Sequence, residues 1–130
     1  MVVTAAHVVA GEDDTMVSAP EGTFRAQAIA FDSQNDIAVL SVPGLSARPL
    51  RLVDPRPGAS VAIVGYPENG PLDAVPGRIG ETATVFAEDA YGRRTRRTVT
   101  SIGGRVRHGD SGGPAVDAAG AVQVTVFAAR

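Results

Sequence analysis

One serine stands among glycines in Gly109-Asp110-Ser111-Gly112-Gly113-Pro114. Small neighbours leave its hydroxyl uncovered and let the backbone turn sharply around it. A hydroxyl becomes a useful nucleophile only when a nearby base takes its proton. The backbone N–H groups of Gly109 and Ser111 can converge on one point, and donors so placed stabilise the oxyanion of acyl transfer, by about 3 kcal/mol for one donor. Taken alone, the hexapeptide also fits an ordinary glycine-rich hairpin loop, because Gly and Ser clusters mark turns in every fold class.

A base is available near the start of the chain. Val2-Val3-Thr4-Ala5-Ala6-His7-Val8-Val9 is an apolar run whose small residues leave an imidazole room to turn toward a partner across a cleft. In another context the same histidine would be a satisfied core residue. An acid follows in Asp32-Ser33-Gln34-Asn35-Asp36-Ile37-Ala38-Val39-Leu40. Asp36 opens a wholly apolar strand, where burial costs several kcal/mol without a hydrogen-bonded or charged partner. An imidazole N–H is such a partner, and a carboxylate there fixes the ring tautomer and stabilises the imidazolium. Asp32 is the competing acid, although its Asp-Ser-Gln-Asn setting reads as a polar turn.

These three groups need elements that bring them together. Short runs of Val, Ile, Ala and Leu recur between turn signals and are too often interrupted by Gly or Pro for helices. They predict an all-β chain with strands at Met1 to Thr4, Asp14 to Ser18, Phe24 to Asp32, Ile37 to Val42 and Ser60 to Gly65. Further strands are predicted at Gly77 to Phe86, Arg97 to Ile102, Pro114 to Val116 and Val122 to Ala128, and one helical turn after His7, from Val8 to Gly11. Pro43, Pro49, Pro55 and Pro57 make the middle a surface connector, since neither a helix nor a central strand tolerates that proline density. The expected division is residues 1–48 with His7 and Asp36, a connector at 49–57, and residues 58–130 with Ser111.

Composition narrows the function. At 130 residues, 44% hydrophobic and 20% charged, the chain has the make-up of an ordinary globular domain. Its net charge of −2 offers no general attraction to nucleic acid or to an anionic membrane. The run Arg93-Arg94-Thr95-Arg96-Arg97 reads as a solvated hairpin tip instead of a phosphate-binding patch. With no cysteine and only His7 and His108 as histidines, no disulfide framework or recognised metal-ligand set is on offer. Neither metal nor cofactor is expected.

In chain order His7, Asp36, Ser111, separated by 29 and 75 positions, this sequence resembles the chymotrypsin-like serine proteases. Subtilisin-like enzymes and α/β-hydrolases place the same three groups in other orders. The short gaps resemble compact bacterial members such as the HtrA-like proteases. Gly65-Tyr66-Pro67-Glu68-Asn69-Gly70, Pro76-Gly77-Arg78-Ile79, Ala90-Tyr91-Gly92 and Gly109-Asp110-Ser111 are similar to the periplasmic, membrane-anchored MarP-type proteases, in which a CvpA-like transmembrane domain precedes the protease.

The resemblance implies two antiparallel six-stranded β-barrels with the active site between them, here truncated at both ends. It also implies a serine endopeptidase acting on protein or peptide substrates from the periplasm or cell envelope, tethered by a segment outside this chain. The acid beside the serine pairs with a freed N-terminus in zymogen-type relatives, and Arg105 or Arg107 could serve Asp110 in that way. Pocket walls are expected around Arg105 to His108 and Val126 to Ala129, with Arg105, His108, Val126 and Ala128 as lining residues. Arg105 lies where relatives that cut after Lys or Arg carry an acid, so no preference for basic residues at that position is predicted. His108 reads as a loop residue and not a second catalyst. The alternatives are a non-catalytic protein-binding module on the same fold, or an HtrA-like quality-control protease.

Overall fold

Period-two alternation builds both halves of the molecule. The computed structural model describes residues 1–88 and 91–127. In the first half run β1 (Val2–Ala5), a single helical turn α1 (Ala6–Val9), β2 (Thr15–Ala19), β3 (Gly22–Asp32) and β4 (Ile37–Ser41). They form one antiparallel sheet in the order β1-β4-β3-β2. Alternate residues of β4, Ala38 and Leu40, point inward and meet Ala6, Val9, Ala26 and Val42, with Phe24 and Val17 packed alongside. Burying a larger member of this set, such as Leu40 or Val42, stabilises by roughly 1.5–3 kcal/mol.

The second half contains β5 (Ser60–Gly65), a 3-10 turn (Pro67–Asn69), β6 (Asp73–Glu88), β7 (Arg94–Gly104), β8 (Pro114–Asp117) and β9 (Val122–Thr125). Its sheet order is β7-β6-β5-β8-β9. Val61 and Ile63 of β5 face inward against Ile79, Ala115 and Val126. Ile63 and Ile79 are the largest fully buried side chains. Among the described residues the sheets hold four and five strands.

The proline-rich connector follows β9. Val53 N–H donates to the Val122 carbonyl, Val122 N–H donates to that of Arg51, and Arg56 N–H donates to Gln123 Oε1. Gln123 is buried, and its amide donates in turn to Asp117 Oδ2, whose carboxylate also accepts from the backbone of Ala119 and Ala121. Those hydrogen bonds, the Gln123 amide first, hold the Asp117 carboxyl below its ordinary range.

Two local expectations need correction. The helical turn begins at Ala6, so it contains His7 instead of following it. The Asp36 carbonyl accepts from the Ala6 N–H and so starts the turn early. The arginine run is a solvated tip only in part: Arg93, Arg94 and Arg96 are exposed as expected, whereas Arg97, in β7, is 3% exposed. Its guanidinium donates to the Glu88 carbonyl and stacks 4.8 Å from the centre of the Phe127 ring. Strand alternation turns this one arginine inward, where the aromatic face takes its charge.

Candidate active site

Register places His7 beside Asp36. In the β1–β4 pair Ala5 lies opposite Ile37, so the residues just past Ala5 and just before Ile37 meet at one end of two adjacent strands. There the Asp36 carboxylate makes two contacts with His7: Oδ1 accepts the backbone N–H at 2.7 Å and Oδ2 meets Nδ1 at 2.6 Å. An ionised carboxylate is acceptor-only, so Nδ1 carries the proton and Nε2 keeps a free lone pair. The Asp36 side chain is 6% exposed and the His7 side chain 41% exposed.

Asp32 has a different task. Its Oδ1 accepts from the backbone N–H groups of Gln34 and Asn35, and its Oδ2 accepts from the Asn35 amide. It therefore closes the β3–β4 turn, and these bonds, the Asn35 side-chain amide first, lower its pKa. Asp36 itself has φ +58°, in the left-handed region that Asp tolerates better than most residues.

The serine loop runs between β7 and β8. Asp110 is buried, and its Oδ2 accepts from the Arg107 backbone N–H at 2.9 Å. The guanidinium of Arg107 turns instead to Asp73, at 3.4 Å. Arg107 thus serves Asp110 through its backbone and not through an ion pair. Beyond Ser111, Gly112 N–H donates to the Val126 carbonyl and Val126 N–H to that of Gly113, which ties the loop to the end of β9.

Gly112 also brings the two halves into contact. With φ +88° it lies so close to β1 that a Cβ would stand 2.3 Å from Thr4 Oγ1 and 3.0 Å from the Ala5 nitrogen. Ser111 therefore sits next to a residue packed against the strand that delivers His7. Among the described residues the ring's hydrogen-bond partner is Asp36, and Ser111 does not bond it directly. Catalytic hydrogen bonds commonly tighten only when substrate binds.

The His108 carbonyl accepts from the Glu68 N–H, donated by the 3-10 turn after β5. No described peptide bond is cis. In a trans peptide the carbonyl and the following N–H point in opposite directions, so this bond turns the Gly109 N–H away from the 3-10 turn. Gly109 adopts φ +98°, and a Cβ there would stand 2.1 Å from the Tyr66 carbonyl. Among the described residues neither Gly109 nor Ser111 spends its N–H on a loop partner. The sequence carried no sign of the part played by Glu68, which acts through its backbone.

Three of the four expected pocket-lining residues are described. Arg105 and His108 are exposed, and Val126 belongs to the second core. Ala128 lies outside the described residues. Val126 also lines a cavity of about 370 Å³ between Asn35, the connector, β7 and β9, which contains neither Arg105 nor His108. Asn35 and Ile37, the neighbours of Asp36 in the chain, both line it.

Two antiparallel sheets, a His–Asp pair at the end of the first and a serine loop reaching it from the second define a trypsin-like architecture. The trypsin-like peptidase domain model matches residues 1–123. The chain belongs to that family. It is 40% identical over 132 aligned residues to serine protease Rv3671c of Mycobacterium tuberculosis, covering 98% of this chain and 33% of that protein. The active form of Rv3671c superposes with a TM-score of 0.90 at 39% identity, over 98% of this chain and 58% of that one. The HtrA-type protease AlgW, solved with a decapeptide, superposes with a TM-score of 0.81 at 26% identity, over 98% and 39%. The chain thus spans about a third of the length of the curated relatives it matches.

Proposed function

We propose that this chain carries the reacting groups of a serine endopeptidase. Ser111 Oγ attacks the scissile carbonyl, and His7 Nε2 takes its proton and returns it to the leaving amine. Asp36 holds His7 in the required tautomer, the N–H groups of Gly109 and Ser111 receive the oxyanion, and water releases the acyl-enzyme. The observation that carries the reading is the two-point grip of the Asp36 carboxylate on His7, at the end of the strand against which Gly112 packs.

The division into 1–48, 49–57 and 58–130 fits this reading, since each sheet then supplies part of the site. AlgW was solved with a decapeptide, and a polypeptide substrate follows by likeness for this chain. An extracytoplasmic setting is proposed on the same likeness. Among the described residues no helix is long and apolar enough to cross a membrane, so a membrane tether would be supplied by another segment of the full-length protein.

A fluorophosphonate probe tests the reaction. The intact protein is expected to take the label, and Ser111→Ala to take none. A folded intact protein left unlabelled would favour the binding-module reading. Arg105 is exposed six residues before the serine, where it disfavours a cationic side chain in the pocket. Rapid cleavage after Lys or Arg in a peptide library would refute that preference.

A further inference from the structure

Asp36 holds His7 only while the β3–β4 turn keeps its shape, and two contacts tie that turn to the far half of the molecule. Gln34 Nε2 donates to the Arg96 carbonyl at 2.7 Å, and the rings of Phe31 and Tyr91 lie 5.8 Å apart at 44°. Arg96 belongs to β7, the edge strand of the second sheet. An edge strand presents backbone groups that no neighbouring strand pairs, and the Gln34 amide docks on one of them. At its other end Gln34 is held by its own N–H, which donates to Asp32 Oδ1. Two residues further along stands Asp36, in the left-handed region at φ +58°. A non-glycine residue persists in that region only where its surroundings hold it there.

We infer that the β6–β7 hairpin positions the catalytic acid, with Gln34 as the positioning residue that links the Arg96 carbonyl to the Asp36 turn. The inference rests on the protease reading for its catalytic consequence, though its geometric content does not. Releasing Gln34 from β7 frees the turn to relax, and the carboxylate then rotates off Nδ1 of His7. The charge relation between the two halves of the site would so depend on a contact outside the cleft. Movement of the hairpin tip would be felt at His7 through the same link.

The test compares Gln34→Ala and Gln34→Glu with the unaltered intact protein. Glu keeps the length of Gln but has no N–H to donate to the Arg96 carbonyl, so both variants should behave alike. The rate of fluorophosphonate labelling is expected to fall roughly tenfold, the order of loss that follows a small misplacement of a catalytic group. The final labelled fraction should stay unchanged, and the acid limb of the rate–pH profile should move to lower pH, because a displaced carboxylate stabilises the imidazolium less. The low-field proton NMR resonance of the carboxylate-bonded Nδ1–H of His7 should weaken or move upfield in both variants. Unchanged rate and resonance would overturn the inference. So would a reduced labelled fraction at an unchanged rate, which marks simple loss of folded protein. If the unaltered protein takes no label while the resonance still responds to Gln34, the protease reading falls and the positioning contact stands.

Discussion

Asp36→Asn is expected to lower turnover by about 10⁴-fold with little change in KM, the loss that the same exchange causes in the Ser-His-Asp template. The geometry here says why the isostere should fail. Asp36 Oδ1 accepts the His7 backbone N–H at 2.7 Å, and the Asn carbonyl oxygen would keep that bond because only it can accept. The amide nitrogen is then forced into the place of Oδ2, 2.6 Å from Nδ1. Two donors cannot face each other there, so Nδ1 must give up its proton and Nε2 must carry one. A protonated Nε2 cannot accept from Ser111. Folding should be little affected, since the shape is preserved and the backbone bond survives. Steady-state kinetics on a peptide substrate measure the effect, and turnover within tenfold of the unaltered protein would contradict this role for Asp36.

Gly112→Ala should cost roughly 10²-fold in turnover, because a shift of about 1 Å in a reacting group has that order of effect. The new methyl would stand 2.3 Å from Thr4 Oγ1 and 3.2 Å from Thr4 Cα, at a backbone φ of +88° that L residues rarely adopt. The hydroxyl can rotate away, whereas the backbone of Thr4 and Ala5 cannot. The serine loop must therefore retreat from β1 and carry Ser111 away from His7. Because the site is a contact between halves, a loss of stability of about 1–3 kcal/mol should accompany the loss of activity. Thr4→Ala in the same chain removes the nearest clashing atom and should restore part of the turnover, a coupling that a double-mutant cycle reads directly. Additive effects of the two changes would mean that Gly112 does not act through Thr4.

Much of the candidate site could be read from the sequence because its proposed chemistry is local. Ser111 announces itself through its glycines, His7 through the apolar run before it, and Asp36 through an acid opening an apolar strand. The strands were legible for a similar reason: β5 is found at Ser60–Gly65 as expected, and β4 ends one residue early. Alternation dictates both. What escaped was set by contacts distant in sequence. His7 lies inside the helical turn because the Asp36 carbonyl, 30 residues from Ala6 in the chain, receives the Ala6 N–H. Arg97 is buried because Phe127 offers a ring face, which the run of arginines could not reveal. Glu68 matters through its N–H, and Gln34 through an edge carbonyl of another strand. Backbone donors and acceptors carry no signature in residue type. The competition between Asp32 and Asp36 was decided by register, since the pairing of Ala5 with Ile37 puts Asp36 next to His7.

A crystal structure of the intact protein with a phosphonate bound covalently would be the most direct trial of the triad. The account predicts phosphorus bonded to Ser111 Oγ, with His7 Nε2 within about 3.2 Å of that oxygen and the phosphonyl oxygen about 2.7–3.1 Å from the nitrogens of Gly109 and Ser111. An adduct on any other residue, or a His7 ring out of reach of Ser111 in a well-ordered adduct, would contradict it.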